Sequence, residues 1–146
     1  MANPQVVLTN TEGASLGDEG GSYCVLGPWN DVDVAASQAA LAITLANDAV
    51  LTEIVMPRAG SIVGIACFSN AARTAGDATF DATINGTVTG LTAVLDATNT
   101  TTHTRQQAAG LDRFTAGQRI GVKLTTPAGW TPITADAIAT VLVIFD

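Results

Sequence analysis

Charge is scarce in this chain. Only 13% of its 146 residues are Asp, Glu, Lys or Arg, and 13 acids against six bases leave a formal net charge of −7. That sign opposes the phosphate neutralisation that dominates nucleic-acid affinity, so nucleic acid is not expected as a partner. Aromatic residues make up 5%, and two Trp and one Tyr are a poor stock from which to build a stacking platform for a sugar. Long apolar runs are absent too: the longest, Ile138 to Phe145, falls well short of the roughly 20 residues that span a bilayer, so no membrane helix is expected. Met1-Ala-Asn-Pro-Gln5 lacks the basic head and apolar stretch of a secretory signal, and use without Sec export is expected. With only Cys24 and Cys67, in an apparently cytosolic product, the expectation is two interior thiols and no bridge.

Catalytic and metal chemistry find few candidates. His103 is the single histidine, so any nucleophile–His unit must use it, yet it sits in a polar threonine run without a nucleophile elbow. It reads as a solvated strand residue. One His and two distant Cys make no zinc cluster. Asp31 and Asp33 form a D-x-D pair without the further convergent oxygens of a calcium loop, and read as solvated carboxylates or as partners for a neighbour's Arg. The glycines from Gly13 to Gly21 lack a Gly-Lys-Ser/Thr ending and carry Asp18 and Glu19, so they do not suit phosphate. No cofactor, no metal site and no enzymatic activity are expected.

What the chain has is strand grammar. Phe80, Ala82 and Ile84 alternate with Thr79, Asp81 and Thr83, and then run into Asn85-Gly86, which tolerates the positive φ angles of a type I′ turn. A β-hairpin is predicted there, continuing through Thr87–Thr89 and Leu91–Leu95. Further strands are predicted within Val34–Ala46 (Leu41, Ile43 and Leu45 sharing a face), over Leu51–Met56, over Ser61–Ser69 and over Arg119–Thr125, where Ile120, Val122 and Leu124 alternate with Arg119, Gly121 and Lys123. Asn99–Gln107 has polar groups on both faces and reads as an edge strand or an extended loop.

Ile138–Phe145 is apolar on both faces. Ile138, Leu142 and Ile144 are assigned to the protomer's own core, which leaves Ala139, Val141, Val143 and Phe145 to be covered by a second sheet or a neighbouring subunit. Seven to nine short strands without a helix give an all-β class, an antiparallel β-sandwich of jelly-roll type. One domain, 34–146, is expected behind an extended N-terminal arm, 1–33. Within the arm the Val6-Val7-Leu8 patch could add as a strand to a neighbour's sheet edge or could simply be a frayed terminus. Trp29 and Trp130 lie in Gly- and Pro-containing segments, each readable as a lid on the core or as an interface anchor.

Five turn-plus-strand blocks carry a family resemblance: Met56-Pro-Arg-Ala-Gly-Ser-Ile-Val-Gly-Ile65, Ser69-Asn-Ala-Ala-Arg-Thr-Ala-Gly76, Asn85-Gly-Thr87, Ala116-Gly-Gln-Arg-Ile-Gly-Val122 and Trp130-Thr-Pro-Ile-Thr-Ala-Asp136. Over roughly Ser37 to Asp146 the chain resembles the bacteriophage capsid decoration proteins, in particular those of Thermus siphophages. The resemblance implies a homotrimer on the outer surface of the expanded head, made in the host cytoplasm and found in the virion. Its partners would be the major capsid protein and neighbouring decoration trimers, and it would clamp capsid subunits against internal DNA pressure. The family has no catalytic residues to carry over.

Our own assignments on that frame are Asn3, Pro4, Gln5, Val6, Val7 and Leu8 as the arm, Val141, Val143 and Phe145 as the trimer seam, and Trp29 and Trp130 as partner contacts. A trimeric phage fibre or receptor-binding β module is the alternative, and a small sugar-acting enzyme is a third reading.

Overall fold

The computed structural model describes residues 22–46 and 48–146, and the arm segment Asn3–Leu8 lies outside them. Among the described residues eleven strands follow in chain order: β1 (Tyr23–Asp31), β2 (Leu41–Ala42), β3 (Thr44–Leu45), β4 (Glu53–Val55), β5 (Gly60–Ser69), β6 (Ala78–Ile84), β7 (Thr87–Leu95), β8 (Thr102–Gln106), β9 (Asp112–Phe114), β10 (Arg119–Thr125) and β11 (Ala137–Phe145). They form two antiparallel sheets. One has the order β3-β1-β11-β5-β8, with β9 also on β5; the other has β2-β10-β6-β7, with β4 also on β10. The pairs β6·β7, β5·β8, β2·β10 and β1·β11 nest inside one another along the chain. The molecule is thus one long ladder rolled into two layers, the jelly-roll form of the sandwich.

The hairpin shows how the sequence dictates this. Asn85 and Gly86 take φ of 51° and 79°, the type I′ turn whose twist matches the flanking strands. Phe80, Ala82 and Ile84 then fall opposite Leu124, Val122 and Ile120 of β10. On the other side Phe80 meets Ala93 of β7. Large side chains face small ones, and a core rich in buried alanine (Ala78, Ala82, Ala93, Ala135, Ala137, Ala139) stays thin while remaining filled.

Two expectations about local structure are corrected. The segment Tyr23–Asp31, expected to lead in from the arm, is a full strand of the sandwich pairing with β11, so the domain begins well before residue 34. Its alternation is hidden by a bulge: Leu26 opposes Val141 and Trp29 opposes Ala139, which leaves one extra residue on β1 around Gly27-Pro28. Gly27 is required there, because a Cβ would stand 2.9 Å from the Trp29 ring and φ is +108°.

The strand expected within 34–46 is broken in two. Leu41–Ala42 pairs with β10 in one sheet and Thr44–Leu45 with β1 in the other, and Ile43 is buried where the chain crosses between layers. Its N–H donates to the Val122 carbonyl at 3.1 Å, while Leu41 is exposed. No described helix is long and apolar enough to cross a membrane.

Candidate interaction surface

The two outer faces of the sandwich differ in chemistry. On the β10·β6·β7 sheet, outward positions include Arg119, Lys123, Asp81, Thr79 and Thr92. Arg119 Nε donates to Glu53 Oε1 at 2.5 Å, Lys123 Nζ to the Gly86 carbonyl at 2.6 Å, and Thr92 Oγ1 to Asp81 Oδ1 at 2.7 Å. That face is dressed for water.

The outward set on β1, β11, β5 and β8 contains no Asp, Glu, Lys or Arg. Register aligns it in rows: Ile138 beside Phe68 beside Thr102, Thr140 beside Ala66 beside Thr104, and Val25 beside Leu142 beside Gly64 beside Gln106. Tyr23 flanks Ile144 at the end. Tyr23 is 68% exposed, Val25 66%, Phe68 46% and Ile138 40%. Three shallow hollows dimple the face: one of about 150 Å³ beside Val25, Gly64, Thr104, Arg105 and Leu142, one of about 250 Å³ between Phe68, Ile138 and Thr140, and one of about 280 Å³ beside Tyr23, Gln106 and Leu142. Arg105 alternates to the other side of β8, is exposed, and borders the face where it lines the first hollow. Gly64 helps to form the first, since a Cβ there would press on Leu142 at 3.2 Å.

This face reverses the expected orientation of β11. Ala139, Val141 and Val143 are buried in the chain's own core, Val141 and Val143 at 0% exposure, whereas Ile138 points out. A side chain with no accessible surface in one chain has none to bury against another, so Val141 and Val143 are not a subunit seam. Periodicity showed two apolar faces on β11 and could not say which was inner. The choice is made by fit: Ala139 leaves room for the Trp29 indole across the ladder, and Val141 meets Ile65. Phe145 is half-buried, packed edge-on against Phe114 with ring centroids 6.2 Å apart and with the Arg58 guanidinium 6.0 Å over its ring.

The partner-contact assignment for both tryptophans is corrected as well. Trp29 and Trp130 are among the largest fully buried side chains. Trp29 Nε1 donates to the Thr52 carbonyl at 2.8 Å, and Trp130 Nε1 to the Val34 carbonyl at 3.0 Å. Burial satisfies both the ring and its donor, which is the lid reading.

His103 is half-buried, not solvated. It lies on β8, and its Nδ1 accepts the N–H of Val94 on β7 at 2.8 Å, joining the two sheets. Behind it, burial pushes the Cys67 thiol up to about 12, against a smaller lowering effect of a hydrogen bond from the His103 backbone, so the thiol is not poised as a nucleophile. Cys67 is buried, Cys24 is half-buried, and neither is bridged. Asp31 Oδ2 accepts from Gln38 Nε2 at 3.1 Å, and the Asp33 N–H donates to Asp136 Oδ1 at 3.0 Å. Among the described residues no three His, Cys, Asp or Glu side chains group as metal ligands.

The sequence reading missed Tyr23, Val25 and Phe68 as surface residues and gave Ile138 and Leu142 to the wrong side. The signal that could have found them is the pairing of a two-faced apolar strand with the threonine-rich, coreless β8.

No protein-family model matches the sequence, and no curated protein is significantly similar to it. Among solved structures, the chain is similar to one from the acidic stable capsid structure of Helicobacter pylori bacteriophage KHP30. The TM-score is 0.42 at 12% sequence identity, covering 85% of this chain and 94% of that one.

Proposed function

We propose that this chain is a non-enzymatic structural component of a phage particle, a decoration protein that sits as a homotrimer on the outside of the expanded head and clamps neighbouring major capsid subunits. The observation that carries the reading is the asymmetry of the sandwich: one outer face bears charged side chains and the Arg119–Glu53 ion pair, and the outward rows of the other are uncharged and largely apolar. Contiguous exposed apolar patches mark interaction sites, protein–protein contacts among them.

The sequence resemblance is consistent with it. Its blocks fall on the β4–β5 turn, the β5–β6 loop, the hairpin, the entrance to β10 and the loop before β11, the pieces that bend a ladder into a jelly roll. A clamp needs no chemistry. It has to bind the mature shell better than other states, and three linked feet gain effective concentration that a single foot lacks.

The test is to mix purified protein with expanded, undecorated heads of a Thermus siphophage and follow binding and the temperature of head rupture. Saturable binding with a raised rupture temperature is expected. Absence of saturable binding overturns the proposal, and binding to host cells in place of heads would assign the protein to a fibre.

A further inference from the structure

We propose that the uncharged outer face of the β1·β11·β5·β8 sheet is the seam between copies of this chain. Only the number of copies rests on the trimeric reading above; the location rests on charge, size and shape.

Each copy carries a formal net charge of −7, so two copies repel at a distance. A contact costs least on a face whose outward rows present no charge to be desolvated or set against its like, and this is such a face. A basic partner would instead be recognised through carboxylates, and none points out from these four strands.

Size agrees. Three strands about 30 Å long and β8 at about 17 Å, each about 4.8 Å wide, give a planar footprint of roughly 510 Å², which pleating and side chains enlarge towards the roughly 800 Å² per partner of a specific interface. Shape agrees too. Phe68 borders the second hollow and Tyr23 the third, with Gly64 and Ala66 lining the ground between them, so that aromatic anchors flank small residues. In a three-fold ring the contact is heterologous, so this face on one copy receives a different patch of the next.

The seam is tested by native mass spectrometry and light scattering on the purified chain, with Leu142→Lys on this face and Thr79→Lys on the opposite sheet as its control. Wild type and Thr79→Lys are expected to keep the oligomer mass, and Leu142→Lys to run as a folded monomer, with far-ultraviolet circular dichroism checking the fold. If Leu142→Lys fails to fold, the milder Val25→Thr/Ile138→Thr pair keeps β-branched side chains and is expected to weaken association about tenfold or more.

An oligomer that survives these folded variants overturns the seam and leaves the trimer standing. A wild-type monomer that still binds heads overturns the seam alone. A wild-type trimer that Leu142→Lys dissociates but that ignores heads supports the seam and removes the decoration role. Insertion of monomeric wild type into neutral phosphatidylcholine vesicles would reassign the face to lipid.

Discussion

At the scale of single residues, the two tryptophans show how far burial outweighs local context. A loop-like setting of Gly and Pro leaves a core lid and an interface anchor both open, and in a core built mainly from Ala, Val, Leu and Ile the large ring is taken inward to fill volume. Trp29→Ala is expected to lower the unfolding free energy by about 3–5 kcal/mol, measured by urea titration, because it removes a fully buried ring opposite an alanine. A loss below about 1 kcal/mol would show that the bulge collapses to fill the space.

Two carboxylates act in the opposite place, on the surface. Asp96 is held below its ordinary 3.8 by the N–H of Asn99 and then that of Thr98, and Asp48 by the N–H of Leu51 and then that of Val50. A depressed folded value means that the stabilisation is complete above the unfolded pKa and is lost as pH falls through the folded one. The urea midpoint is therefore expected to fall as pH drops below about 4, and to fall less steeply in Asp48→Asn/Asp96→Asn. An unchanged slope in the double variant would assign the acid sensitivity to other groups. Neither Asp was singled out in the sequence, since each works through a turn only three residues long.

At the scale of elements, legibility followed alternation. β6 with its turn and β10 could be read because period-two patterns there are unbroken and the turn chemistry is explicit, and β8, polar on both faces, reads as an edge strand or an extended loop and is the edge strand. β1 could not, because its bulge shifts the phase midway, and the Leu41–Leu45 stretch could not, because it serves both sheets in turn. Contacts between layers are invisible to any period. His103 is the clearest case, since its acceptor nitrogen meets the Val94 N–H from the facing sheet. His103→Ala is expected to leave that donor without its partner, costing about 1–3 kcal/mol, and to raise amide exchange at Val94 more than at Ala93 or Leu95. Uniform acceleration along β7 would instead indicate global destabilisation.

For the whole molecule the question is what resists heat and force. The described ion pairs, Arg73–Asp77, Arg113–Asp146 and Arg119–Glu53, are separate and largely exposed, a weak source of stability compared with a network. The core is thin. If copies join through the uncharged sheet face, part of the stability belongs to the assembly, and mass action links it to concentration. Tm measured by scanning calorimetry is then expected to rise with protein concentration across about two decades, and the rise should vanish in Leu142→Lys. Salt separates this from an ion-pair seam. Screening weakens attraction between opposite charges, whereas between copies that each carry −7 it weakens repulsion. Going from about 50 to about 500 mM sodium chloride, the association constant from sedimentation velocity should therefore hold or increase. A marked fall would place charge in the contact and move the seam off this face.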